Sequence, residues 1–158
     1  MNVFKTDARS GFIFVALLSA MIILGGCYGG YGAKYIYDPG TSFSGLKSYA
    51  WTNTASGLGR KESLVVINVQ FDADQVLEQK GFKKTSENPD MLISIETESE
   101  IGAFNDGYQL RMLTLNIYRR ESKELIWRGT APGAINTDAA SNDLKNAVRD
   151  VLAKFPPK

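Results

Sequence analysis

Apolar and polar side chains alternate along two stretches of this chain, and a period of two predicts β-strands. Met91, Ile93 and Ile95 alternate with Leu92, Ser94 and Glu96, and the strand runs to about Ile101. Leu113, Leu115 and Ile117 alternate with Thr114, Asn116 and Tyr118 in the same way. Two shorter strands are predicted earlier, at Lys34–Tyr37 and Lys47–Trp51; the turn sequence Asp38-Pro39-Gly40 closes the first. Phe43 and Leu46 read as apolar anchors in the loop between them. A fifth strand, Leu125–Gly129, follows Glu121-Ser122-Lys123, which has the length of a tight hairpin. The period changes in two other places. Leu64–Ile67 is β-branched enough to be a strand, yet Val66, Val69, Ala73, Val76 and Leu77 recur on one helical face. Gly81 stands where a helix C-cap belongs, so a helix is predicted over about 62–80, with Phe82 packing back on it. A second helix is predicted over about 141–154, capped by Ser141 or Asn142, with Leu144, Val148, Val151 and Leu152 as its stripe. Phe155-Pro156-Pro157 stops it, while Glu87–Asp90 and Gly102–Gly107 read as turns. Strands joined by short turns run antiparallel. The expected class is therefore α+β: a mostly antiparallel sheet of about five strands with two helices packed on one face.

The beginning of the chain departs from this patterning. Lys5 and Arg9, partly offset by Asp7, precede an uncharged apolar run from Gly11 to Leu24. As a helix that run reaches about 21 Å, short of the ~30 Å hydrocarbon core. Leu24-Gly25-Gly26-Cys27 follows, and the whole arrangement resembles the signal peptide and lipobox of a bacterial lipoprotein. The resemblance implies a diacylglyceryl group on the Cys27 sulfur and removal of the leader before it. In enteric-type lipoproteins an Asp after the cysteine favours the inner membrane, so Tyr28 at that position implies the outer one. A retained membrane helix is the competing reading; it is weakened by Gly25, Gly26, Gly29, Gly30 and Gly32, because glycine is a poor helix former. Plain secretion with an incidental cysteine is the other. The expected organisation is a signal peptide at 1–26, a lipidated flexible tether at 27–33 and a single periplasmic domain at 34–158. The six residues Tyr28–Ala33 of that tether, being glycine-rich, span about 12–15 Å.

Charge and composition narrow the chemistry. The 18 basic and 17 acidic side chains nearly cancel, and the leader holds Lys5, Arg9 and Asp7, so the remainder is balanced. Nucleic-acid binding needs a basic excess, so no nucleic-acid partner is expected. The short pairs Lys83-Lys84 and Arg119-Arg120 read as solvated turn or edge positions. With no histidine in the sequence, imidazole-based triads and imidazole metal sites are excluded. The one cysteine is assigned to lipid, which leaves no disulfide and no thiolate cluster. No cofactor or metal is expected.

Several segments resemble the bacterial lipoprotein family catalogued as domain of unknown function 4136. They are Tyr37-Asp38, Phe43–Trp51, Lys80-Gly81-Phe82, Asn88–Ile93, Leu125–Gly129 and Phe155-Pro156, in the family's order. The resemblance implies an envelope lipoprotein with one α+β domain and supplies no catalytic residue. The remaining constellations favour structure over chemistry. Glu96, Glu98 and Glu100 share one strand face, suited to a cation or to acid–base cleavage of glycan, but more simply a solvated charged face. Asp72 and Asp74 diverge by about 200° on a helix and do not converge on one ion. Trp51 and Trp127 fit a ligand groove or, more simply, the core. Ser44 and Lys47 have a Ser-x-x-Lys spacing, but in a loop. The expected function is that of an outer-membrane-anchored, non-enzymatic module that binds or supports an envelope component, with the membrane and a possible envelope protein as partners. The alternatives are an envelope glycan or lipid hydrolase using acidic residues and a carrier of an apolar ligand.

Overall fold

The computed structural model describes residues 30–52, 59–101 and 108–157. The leader, Cys27, the expected turn at Gly102–Gly107 and most of the Thr52–Gly59 connection lie outside the described residues. Among the described residues there are six strands and two helices. In chain order they are β1 (Lys34–Ile36), β2 (Ser48–Trp51), α1 (Arg60–Gln79), β3 (Lys83–Lys84), β4 (Met91–Ile101), β5 (Tyr108–Arg119), β6 (Leu125–Asn136) and α2 (Asp143–Leu152). The strands form one sheet in the order β1-β6-β5-β4-β2-β3. The fold is α+β as expected.

The sheet agrees broadly with the expectation of about five mostly antiparallel strands and refines it in two respects. Lys83 and Lys84 form a sixth strand, β3, an exposed one at the sheet's edge. The sheet is also mixed: β4–β5, β5–β6 and β1–β6 pair antiparallel, but β2 runs parallel to both β3 and β4. Parallel partners need a long crossover, and α1 supplies it. β6 also extends seven residues past the predicted stop at Gly129, to Asn136. Pro132 and Gly133 argue for a break there, yet the ladder shifts register between Leu110 and Met112, and Gly133 takes a positive φ of 126°. A bulge of this kind absorbs residues that a regular ladder rejects.

Both helices cover the same sheet face. On that face Met91, Ile93 and Ile95 of β4, Leu113, Leu115 and Ile117 of β5, and Trp127 and Ala131 of β6 are buried. They meet Val65, Val66, Val69, Ala73 and Leu77 of α1 and Leu144, Ala147, Val148, Val151 and Leu152 of α2 in one core. The end of α1 is a Schellman turn. Gly81 has φ +90°, its N–H donates to the Glu78 carbonyl at 2.9 Å, and the Phe82 N–H donates to the Leu77 carbonyl at 3.0 Å. Phe82 then packs in the core, as the sequence led one to expect. At the start of α2, Asn142 occupies the N-cap without a side-chain hydrogen bond; Ser141 Oγ instead accepts from the Asp143 N–H at 3.1 Å.

Candidate functional site

Aromatic side chains from several of the segments that carried the family resemblance pack against one another. Tyr37 meets Phe43 edge-on at 6.1 Å between ring centres, and Phe43 meets Phe155 at 6.0 Å. Phe155 stacks on Phe82 at 5.4 Å and crosses Trp127 at 5.3 Å. Trp127 is fully buried and lies across Gly129, whose missing side chain leaves room for the indole. Among the described residues its Nε1 has no hydrogen-bond partner. These aromatics bind the loop before β2, the end of α1, β6 and the chain's last residues into one body. Their role is packing.

The polar residues of the same segments also tie elements together. Asp90 Oδ2 accepts the N–H groups of Lys47 and Ser48 and the Ser48 hydroxyl, at 2.9, 2.9 and 2.8 Å. Ser48 Oγ accepts the Asp90 N–H at 3.1 Å in return. The hydrogen bond from the Lys47 N–H, then that from the Ser48 hydroxyl, hold the Asp90 carboxyl below its ordinary range; the nearby Arg120 charge acts in the same direction. This latch forms one wall of an open depression of about 200 Å³ with Ser44, Gly45, Arg119 and Glu121. Ser44 shares a hydrogen bond with Ser42 at 2.7 Å, and Lys47 is engaged through its backbone, so the Ser-x-x-Lys spacing belongs to an exposed loop.

The two aspartates of α1 face different neighbours. Asp74 Oδ1 accepts from Tyr49 Oη at 2.8 Å and Trp51 Nε1 at 2.9 Å; Asp74 Oδ2 pairs with Lys84 Nζ at 2.9 Å. It clamps α1 to β2 and β3. Burial, then hydrogen bonding to Asp74, pushes the Tyr49 hydroxyl far above its usual range. Asp72 points toward α2; desolvation raises its carboxyl, while Lys145 and Arg149 pull it back down. It lines a second open depression, about 240 Å³, with Asn68 and Phe71 of α1 and Asp138, Ser141 and Lys145 around the start of α2. Glu96 and Glu98 are exposed on the sheet face opposite the helices. Among the described residues no group of three acids or cysteines is placed to hold a metal ion.

Two features were hidden from sequence reasoning. On the sheet face away from the helices, Thr114 and Asn116 are 3% and 0% exposed. Thr114 bonds Thr130 at 2.9 Å, and Asn116 receives Arg128 Nε at 2.6 Å and donates to Ser94 at 3.3 Å. Alternation correctly set them opposite the apolar row, but only the cross-strand register reveals that neighbours cover them. The second feature is exposed apolar surface at β1 and on α1: Tyr35, Ile36, Leu64, Ile67 and Phe71 all lie open to solvent. Asp74 and Asp90 tie elements together, while Glu96 and Glu98 stand on an open face.

A half-covered mixed sheet with two helices on one face thus defines a small α+β domain built around an aromatic knot. The chain belongs to the family described as a domain of unknown function (DUF4136), whose profile matches residues 33–157. No curated protein matches the chain significantly. Among solved structures it is similar to a PDZ domain protein from Parabacteroides distasonis ATCC 8503, with TM-score 0.54 and 13% identity over 80% of this chain. The match spans 35% of that protein's length. It is also similar to the PelC dodecamer from Paraburkholderia phytofirmans in two crystal forms, with TM-scores of 0.52 and 0.53, 13% identity and 77% of this chain covered. That match covers 93% and 94% of the PelC chain. At this identity the likeness establishes the fold.

Proposed function

We propose that this protein is an outer-membrane lipoprotein, anchored through acylated Cys27, whose periplasmic domain is a non-enzymatic binding or structural module for another envelope component. The observation that carries the binding role is the sheet edge at β1. All three of its residues are exposed, Ile36 by 71%, and it is the last strand in the sheet order, paired with β6 on its inner side. An extended partner segment added there gains main-chain hydrogen bonds and packs on Tyr35 and Ile36. The placement of the acids supports binding over hydrolysis, since Asp72 and Asp74 face different elements and Glu96 and Glu98 stand on an open face. The two depressions, at about 240 and 200 Å³, are open and partly charged, which supports a carrier role less than a docking role.

Photocrosslinking from position 36 in intact cells, followed by mass spectrometry, tests the docking edge. One defined envelope protein should be recovered; a diffuse set of products refutes docking there. Cys27→Ser should move the protein from the membrane to the soluble fraction, and retention in the membrane refutes the anchor. A second reading is self-assembly, in which the partner is another copy of this chain. The dodecameric PelC structures that share the fold favour it. Crosslinks joining two copies at position 36 would select it.

A further inference from the structure

α1 carries two apolar faces. Val66, Val69, Ala73 and Leu77 form the buried one. Leu64, Ile67 and Phe71 follow an i, i+3, i+7 spacing on nearly the opposite side, at about 100° per residue. These three are 54%, 48% and 63% exposed. The stripe covers about 10 Å of helix length. An apolar stripe on the outside of a helix layer marks a contact surface.

The point where the chain joins the domain indicates what covers this stripe. Tyr31 lies along α2: its N–H donates to Asp150 Oδ2 at 2.8 Å, its hydroxyl bonds Asp143, and its ring packs on the core. Gly30 also lies against the Asp150 carboxylate. The start of the domain is therefore pinned to the helix layer. Cys27 stands three peptide steps earlier, at most about 11 Å of extended chain. Any bilayer that holds Cys27 is held beside α2, and α1 packs directly against α2. Asp143 and Asp150 lie on the flank of α2 opposite Lys145 and Arg149, which face Asp72 of α1. The outward face of α1 therefore lies across α2 from the anchor, in the same helix layer, with an axis separation of about 8–10 Å between the packed helices.

We propose that α1 docks on the bilayer surface, with Leu64, Ile67 and Phe71 inserted at the boundary between headgroups and acyl chains. The inference rests on anchoring through Cys27 and adds an orientation: helix layer toward lipid, open sheet face and Arg128 toward the periplasm. Lys145 and Arg149 of this layer stand near Asp72, so the surface carries mixed charge. Docking is then apolar and changes little with salt.

The acylated full chain, reconstituted in vesicles of phosphatidylethanolamine and phosphatidylglycerol, provides the test. A polarity-sensitive dye is placed by Asn68→Cys beside the stripe, or by Glu96→Cys on the open sheet face, the native thiol being blocked by lipid. Brominated lipids should quench the dye at position 68 at least about twofold more than at 96, because interfacial helices sink about 5–10 Å. Adding Phe71→Ser should remove about half of that difference. Equal quenching at both positions in vesicle-bound protein overturns the docking and leaves the anchor standing. Protein that fails to bind vesicles overturns both. Shielding at position 68 that grows with protein concentration and ignores brominated lipid assigns the stripe to a second copy and overturns the lipid.

Discussion

Gly129 and Asp90 show how single residues set this fold. A Cβ at Gly129 would collide with the Trp127 indole, and that ring is boxed in by Phe155. Gly129→Ala should therefore cost about 1–3 kcal/mol, as overpacking does, read as a lower urea midpoint. A change within error would mean that the indole has room to move. Asp90 gathers hydrogen bonds from Lys47 and Ser48, across 42 positions of sequence from the latter. Its carboxyl is held below the ordinary value of 3.8, so its contribution is present above that value and lost as pH falls through the lower, folded-state value. Asp90→Asn should cost about 1–2 kcal/mol at neutral pH, and the gap from the parent should narrow below about pH 4. Urea melts at both pH values check this; a gap that stays constant would remove the latch from the account. The sequence marked Asn88-Pro89-Asp90 as a turn, and the chain bends there with Asn88 at a φ of 45°. It held no local signal for the Ser48 partner, because that contact exists only once β2 lies beside β4.

At the scale of elements, α1 explains an ambiguity in the sequence. Leu64-Val65-Val66-Ile67 fits a strand because it is apolar at consecutive positions. The structure resolves it as a helix with one face in the core and another in the open. The buried face was legible from its 3.6-residue period; the exposed one disturbed that period and blurred the assignment. The two faces should respond oppositely to mutation. Leu77→Ala removes a fully buried side chain and should cost about 2–5 kcal/mol. Phe71→Ser should stay within about 0.5 kcal/mol of the parent, as surface changes do. Thermal melts of the pair decide it, and a large loss for Phe71→Ser would mean that the stripe supports the fold itself. The long strands β4 and β5 were clear from strict alternation. β3 was not, since two lysines carry no period, and its pairing depends on Lys83 N–H donating to the Lys47 carbonyl at 2.8 Å. The end of β6 was hidden by Pro132 and Gly133, whose usual meaning is reversed by a bulge.

Across the whole molecule, class and family were readable, while the strand order was not. Short hairpins made β4, β5 and β6 neighbours by necessity, but nothing local states that β1 and β2 sit far apart in the sheet. The two remote strands are placed by the aromatic knot and by the clamp on Asp74. Tyr31 does the same for the start of the domain. Burial, then the charge and hydrogen bond of Asp143, raises its hydroxyl from 10.0 to about 12. The folded protein thus keeps a proton that an unfolded chain would release. That stabilising effect is complete below pH 10.0 and is lost as pH rises through about 12. Tyr49, held against Asp74, acts in the same direction and remains in any Tyr31 variant. Urea midpoints of the parent should accordingly fall across that alkaline window, and those of Tyr31→Phe should fall less steeply over the same range. Below it, Tyr31→Phe should lose about 0.5–1.5 kcal/mol for the hydrogen bond to Asp143. If both proteins weaken in parallel up to pH 12, Tyr31 is not fastened to α2, and the short link between Cys27 and the helix layer goes with it.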